Sequence, residues 1–130
     1  MRLSTFVVLL LWLSSLGTAY AQIPFEYREI ASCSHEGNPY RYDGSLQSRR
    51  TESHQILIAT VPLNCASRPK VTVQDGTPLY VNIEDVYLDE IRAVCNCMRR
   101  FEITLKSTIP PGTTIWVLAN GRGIARTLAQ

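Results

Sequence analysis

The sequence contains none of the short motifs that mark the common exported hydrolases. No serine stands in a G-x-S-x-G turn, no H-E-x-x-H pair occurs, and no G-x-x-x-x-G-K-[ST] phosphate loop is present. Only two histidines, His35 and His54, could act as a general base. We therefore expect a non-enzymatic protein, and the alternative is a small periplasmic hydrolase that uses one of these histidines.

Net charge and long apolar runs are also scarce. The 13 Lys and Arg residues are nearly balanced by 11 Asp and Glu residues, which gives a formal net charge of +2. A nucleic-acid-binding domain normally shows a strong basic excess, so we expect no nucleic-acid partner. After the N-terminal region no apolar run approaches the roughly 20 residues needed to cross a bilayer, so we expect no membrane span in the processed protein.

The first 21 residues have the three parts of a cleavable export signal. Arg2 supplies the positive start, residues 6–13 (FVVLLLWL) form the apolar centre, and Ala19-Tyr20-Ala21 is an A-x-A cleavage pattern. We predict cleavage after Ala21 and a single exported domain of residues 22–130. This predicts a periplasmic or secreted protein.

Four cysteines follow the predicted cleavage point, namely Cys33, Cys65, Cys95 and Cys97. An even number of cysteines in an exported chain favours disulfides. On an extended strand the Cα atoms of Cys95 and Cys97 would lie about 6.5–7 Å apart, at the limit for a direct bridge. We expect Cys33 and Cys65 to pair separately with the C-x-C pair, in an order that the sequence leaves open. The alternative is a thiolate carrier of Cu or Zn, although no C-x-x-C pair is present.

The predicted exported part consists of short strands separated by turn residues. Val71 with Val73, and Phe101 with Ile103, alternate with polar residues as on half-buried strands. Asn120-Gly121 is a strong hairpin signal. We expect an all-β fold, an antiparallel sandwich or small barrel of six to eight short strands that is tied by disulfides. The clearest predicted strands are residues 27–31, 55–61, 70–74, 78–83, 99–106 and 113–118, with a closing strand within 123–128.

Other segments give weaker signals. Residues 34–50 are rich in turn formers and predict a long exposed loop with at most a brief strand at 40–42. Residues 84–94 allow either a short helix or a loop. Pro62 is expected to end its strand or to place it at a sheet edge. Charged residues such as Arg99 and Asp85 are expected on the solvated surface.

The predicted loop has the composition of an interaction surface, because tyrosine and arginine are enriched where proteins bind each other. The candidate binding residues are Tyr40, Arg41, Tyr42, Arg49 and Arg50. We expect the partner to be another protein or a cell-envelope component, and we expect no cofactor.

Between residues 63 and 117 several motifs follow one another in a distinctive order. Leu63-Asn64-Cys65 ends a strand, the C-x-C pair leads into residues 101–105 (FEITL), and Pro111-Gly112-Thr113 makes the next turn. This layout resembles small exported bacterial β-sandwich proteins and covers about half of the predicted exported chain. The resemblance implies a disulfide-tied antiparallel sandwich, commonly of uncharacterised function, and implies no active site. Cys33 and the tyrosine-rich loop lie outside it.

Overall fold

The computed structural model describes residues 22–34, 37–87 and 95–130, so the predicted export signal at 1–21 lies outside the described residues. Within these ranges the chain forms strands and no helix, which confirms the predicted all-β class. The strands are β1 (Phe25–Ser34), β2 (Ser45–Arg50), β3 (Gln55–Asn64), β4 (Arg68–Gln74), β5 (Leu79–Val86), β6 (Asn96–Leu105), β7 (Thr114–Ala119) and β8 (Arg122–Leu128).

The strands form two four-stranded sheets that enclose one core, so the fold is a sandwich with open sheets. The first sheet has the order β1-β6-β3-β2 and the second has the order β4-β5-β7-β8. The period-2 alternation of the sequence selects the inward face of each strand. The fully buried residues come from both sheets and include Leu57, Val61, Leu79, Val81, Ile83, Phe101, Ile103, Leu105, Ile115 and Val117.

Alternation predicted the inward faces of β4, β5 and β6 correctly. On β3, Ile56 and Ile58 lie on the outer, half-buried face, and Leu57 and Ala59 point into the core. On β7 only alternate residues are fully buried, although the strand is an apolar run, and Trp116 is half-buried on the outer face.

One strand pair departs from the predicted antiparallel pattern. Strands β5 and β7 pair in parallel, with Tyr80 opposite Trp116, and the other five pairs are antiparallel. The chain leaves the second sheet after β5, passes through the first sheet as β6, and returns as β7. This long crossover lets β7 run in the same direction as β5, as parallel neighbours require.

The predicted long loop at 34–50 is wrong in its second half, because Ser45–Arg50 forms β2 and pairs with β3. The brief strand predicted at 40–42 is also wrong, since those residues form a turn in which Tyr42 has a φ of 54°. Pro62 does not end β3, which continues to Asn64. It does lie past the stretch of β3 that pairs with β2, so its missing N–H leaves no gap in that ladder.

The hairpin predicted at Asn120-Gly121 is present, and a second hairpin joins β4 to β5. Strands β4 and β5 flank the Asp75-Gly76 turn, and β7 and β8 flank Asn120-Gly121. Asn120 and Gly121 have φ values of 50° and 77°, the left-handed pair that a tight two-residue hairpin turn requires. Of the segment predicted as helix or loop, residues 84–86 continue β5, and residues 88–94 lie outside the described residues. In the described ranges no helix is long and apolar enough to cross a membrane.

Candidate functional site

The two disulfides take the cysteines in the predicted separate pairs, and the structure fixes their order. Cys33 at the end of β1 bonds to Cys97 in β6, with Cα atoms 4.7 Å apart. Cys65 after β3 bonds to Cys95 before β6, with Cα atoms 5.8 Å apart. Both bridges therefore lie at one end of the first sheet and link neighbouring strands of that sheet.

The bridges lie so close together that three sulfur atoms form a cluster. The Sγ atoms of Cys33, Cys65 and Cys97 are within 4.8 Å of one another. All four cysteines are bonded, so the cluster offers no thiolate in this oxidised form. Because Cys33 and Cys97 are bonded to each other, reduction would have to separate these two sulfur atoms before all three could coordinate a soft metal ion.

Arg99 is buried beside the disulfides, which corrects its prediction as a surface residue. Its side chain is 8% exposed, and it makes two hydrogen bonds of 2.7 Å to the carboxylate of Glu29 on β1. Its third nitrogen, Nη1, donates to the backbone carbonyl of Ser67 at 2.9 Å and to that of Asn64 at 3.3 Å. The guanidinium therefore joins β1, β6 and the β3–β4 connection.

The sequence did contain a signal for this burial. Arg99 precedes Phe101 by two residues, and residues two apart on a strand share a face. Phe101 and Ile103 were predicted to point inward, so the same alternation places Arg99 on the inner face. The prediction instead followed the general preference of arginine for the protein surface, and it was therefore wrong for Arg99.

Asp85 continues the polar network into the second sheet, and it too was predicted on the solvated surface. Its carboxylate accepts hydrogen bonds from the Ser67 hydroxyl, from the Asn64 backbone N–H at 3.0 Å and from the Asn120 amide at 2.9 Å. Asn120 in turn accepts a bond from the Asp85 backbone N–H at 2.8 Å. This carboxylate thus connects β3, β5 and the β7–β8 turn.

The electrostatics of the network are clearest at Glu29. The hydrogen bonds from Arg99 hold the pKa of this carboxyl below its ordinary value, because they stabilise the charged form, and they outweigh the opposite effect of burial. The Ser32 hydroxyl, 2.5 Å from the carboxylate, acts in the same direction. The arrangement binds a buried charge within the protein and offers no open coordination or reaction centre, so we assign it a structural role.

The candidate binding residues divide into two groups. Residues 37–44, which we call the tyrosine turn, contain Tyr40, Arg41 and Tyr42. Arg49 and Arg50 lie at the far end of β2. Arg49 is four residue steps beyond Ser45, about 13 Å at the rise of a β-strand, so the structure does not bring the five residues together.

The tyrosine turn is held by its own backbone and by the neighbouring strands. Asn38 accepts hydrogen bonds from the N–H groups of Tyr40 and Arg41, as expected for Asn-Pro at the start of a turn. A Cβ atom on Gly44 would overlap the Thr60 carbonyl and Ile124, so the end of the turn packs directly on β3 and β8.

Tyr40 is the most exposed aromatic residue of this turn, with 69% of its surface accessible. Tyr42 lies under the guanidinium of Arg122, 4.2 Å from the ring centroid. This is a cation–π contact, and it adds Arg122 to the surface that the sequence had indicated. The turn therefore presents one exposed and one stacked tyrosine on a fixed backbone.

The surroundings of His54 give little support to the hydrolase alternative. His54 lies in the turn between β2 and β3, where its Nδ1 is 2.7 Å from the hydroxyl of Ser53. The two residues are adjacent, and the backbone of the same turn is closed by hydrogen bonds between Thr51 and His54. This contact belongs to a tight turn, and among the described residues no third side chain orients the imidazole. His35 lies outside the described residues.

Comparison with known proteins adds no relative. No protein-family model, curated protein or solved structure matches the chain. The resemblance to small exported bacterial sandwich proteins therefore stays an expectation, and the functional argument rests on the residues themselves.

Proposed function

We propose that the protein is an exported, non-enzymatic binding domain that acts in the periplasm or at the cell surface. Its two disulfides support this compartment, because such bonds persist in oxidising environments. The predicted export signal points to the same compartment. The proposed partner is another protein or a component of the cell envelope.

The tyrosine turn is the observation that carries the binding proposal. Tyrosine and arginine dominate the energetics of protein interfaces, and here Tyr40, Arg41, Tyr42 and Arg122 lie in or against one turn. The turn is already ordered by Asn38 and by close packing at Gly44. A preordered surface loses less conformational entropy on binding than a flexible loop would lose.

The test is capture of a partner from an envelope extract by the immobilised full chain. Tyr40→Ala is expected to reduce the captured partner at least tenfold, since the exposed ring is the natural anchor of the surface. Ile30→Ala is the matched control, because Ile30 is another exposed large apolar residue. It lies on β1, at the opposite edge of the first sheet from β2, which follows the tyrosine turn. Equal capture by wild type and Tyr40→Ala, or no specific capture at all, would refute the role of the turn.

A thiolate metal carrier is the second candidate, and the cluster of three sulfur atoms within 4.8 Å favours it. It requires the reduced protein, since metal ligands must be thiolates. Protein isolated anaerobically from its native compartment should then contain Cu or Zn and free thiols. Metal-free protein with all cysteines oxidised would exclude this candidate.

A further inference from the structure

The outer face of the second sheet carries a continuous row of planar and amide side chains. Gln74, Tyr80, Trp116 and Arg126 lie directly opposite one another on the four successive strands. At the usual spacing between strands the row is about 14 Å long. The inward neighbours of Tyr80 and Trp116 are fully buried, so both rings lie on the side of the sheet that faces away from the core.

The position of the indole ring is fixed by its two neighbours on β8. The Arg126 guanidinium lies 5.5 Å from the ring centroid of Trp116. Gly123 offers no side chain, and a Cβ atom there would stand 3.4 Å from the indole. That distance is an ordinary van der Waals contact, so the indole packs closely against β8 and the glycine leaves this part of the surface flat.

A shallow hollow lies on each side of this row. One, of about 330 Å³, is lined by residues that include Thr72, Gln74, Tyr80 and Leu118. The other, of about 350 Å³, is lined by Thr114, Arg126 and their neighbours on β8. Each volume falls at the small end of the range of small-molecule sites. Two hollows that flank an aromatic row suit a chain of small units better than one compact ligand.

The polar groups of the first hollow are available to a ligand. Within the described residues, the hydroxyls of Thr72 and Tyr80 and the amide of Gln74 make no hydrogen bond with another protein group. Asn82 is different, because its side chain is held by Glu84 and by the Gly121 backbone. The hollow therefore combines free neutral donors and acceptors with one rigid amide.

We propose that this face binds a chain of uncharged, glucose-configured pyranose rings. Such a ring has equatorial hydroxyls around its rim and C–H bonds on its two faces. The C–H bonds can rest on the electron-rich faces of Tyr80 and Trp116, and the hydroxyls can bond to Gln74 and Thr72. This site lies on a different sheet from the exposed Tyr40 and does not depend on the tyrosine turn.

The charges at the face decide against other ligands that stack on aromatic rings. Nucleic-acid strands also stack on tyrosine and tryptophan, but they need a positively charged groove. Here the two hollows carry one charge of each sign, Asp75 in the first and Arg126 in the second, so their lining has no net positive charge. An acidic glycan meets the same obstacle. Neutral amides and hydroxyls favour a neutral sugar chain.

Calorimetric titration of the full chain with cellohexaose and with chitohexaose tests the proposal. Saturable binding of at least one hexasaccharide is expected. The hexasaccharide that binds more tightly shows whether the face prefers a plain glucan or a 2-acetamido glycan. A hexamer of galacturonic acid is expected to bind at least tenfold more weakly than the better neutral one. No binding of either neutral chain at millimolar concentration would overturn the proposal, and so would preferred binding of the acidic chain or of a single-stranded oligonucleotide.

Variants locate the site. Tyr80→Ala and Trp116→Ala are each expected to weaken binding at least tenfold. Because a half-buried ring also supports the fold, Thr72→Arg provides a second check, since it fills the hollow from an exposed position and should weaken binding tenfold without lowering the melting temperature. Thr104→Arg, the same change on the outer face of the first sheet, should leave binding unchanged. Wild-type affinity in both Tyr80→Ala and Thr72→Arg would overturn the assignment of this face.

Discussion

Replacing Glu29 by glutamine isolates the energetic role of the buried ion pair. The change keeps the shape of the side chain but leaves the Arg99 guanidinium, 8% exposed, without its charged partner. Breaking a buried pair on one side typically costs about 3–5 kcal/mol. The Glu29 side chain is 24% exposed, so solvent compensates part of that cost. We expect a loss of about 2–3 kcal/mol in unfolding free energy, which lowers the melting temperature by roughly 8–12 °C in a domain of this size.

The matched control lies on the same strand. Glu26→Gln removes an ion pair with Lys106 of similar length, 2.9 Å, but the Glu26 side chain is 74% exposed. Exposed pairs contribute little to stability, so this variant should remain within about 0.5 kcal/mol of wild type. Both variants should be unfolded in urea without reductant, so that the disulfides stay intact. Equal effects of Glu26→Gln and Glu29→Gln would refute the argument from burial.

The pH dependence gives an independent check of the same reasoning. The folded state lowers the pKa of Glu29 below its ordinary value of 4.5. Its stabilising contribution is therefore complete above pH 4.5 and is lost as the pH falls through the lowered folded pKa. The difference in stability between wild type and Glu29→Gln should be largest at neutral pH and shrink below about pH 4. A difference that stays constant or grows in acid would contradict the cause assigned to the shift.

Other predictions concern the core and the disulfides. Phe101→Ala should cost about 3–5 kcal/mol in urea unfolding, and a loss below about 1 kcal/mol would contradict its complete burial. Replacing Cys33 and Cys97 by alanine opens a loop with a separation of 64 residues, and replacing Cys65 and Cys95 opens one of 30. The shorter loop lies inside the longer one and each variant keeps the other bridge, so loop entropy predicts losses of about 3–4 kcal/mol for each, the larger for Cys33–Cys97, and the reverse order of melting temperatures would argue against that origin. Mass spectrometry of native, unreduced protein should show all four cysteines protected from alkylation, whereas labelled Cys95 and Cys97 would favour the metal carrier.

Local patterns predicted the strands that bury several residues on one face. The alternation through Phe101, Ile103 and Leu105 and the hairpin signal at Asn120-Gly121 are examples, and both are confirmed. Strand β2 was missed because its sequence, SLQSRR, places only one residue, Leu46, in the core. Such a strand is specified by its pairing with β3 more than by its own side chains, and pairing is a long-range property.

The parts of the site that escaped prediction depend on contacts between distant residues. The partner of Arg99 is 70 residues away, and the partner of Asp85 in the hairpin turn is 35 residues away. No local pattern reports such distances. The row through Tyr80 and Trp116 likewise exists only because β5 and β7 pair in parallel, which the predicted antiparallel order did not contain.

The placement of the cross-links bears on the proposed glycan face and on the alternative thiolate metal site. Both disulfides join strands of the first sheet, so neither one fastens the two sheets to each other. Attachment between the sheets rests on the shared core and on polar contacts such as that of Asp85 on β5 with the Asn64 backbone on β3. Reduction would therefore loosen the end of the first sheet, where the sulfur cluster lies, before it disturbs the second. The proposed glycan face, on the hairpins β4–β5 and β7–β8, then keeps its geometry for as long as the core holds, whereas a thiolate metal site would arise only when the bridges open.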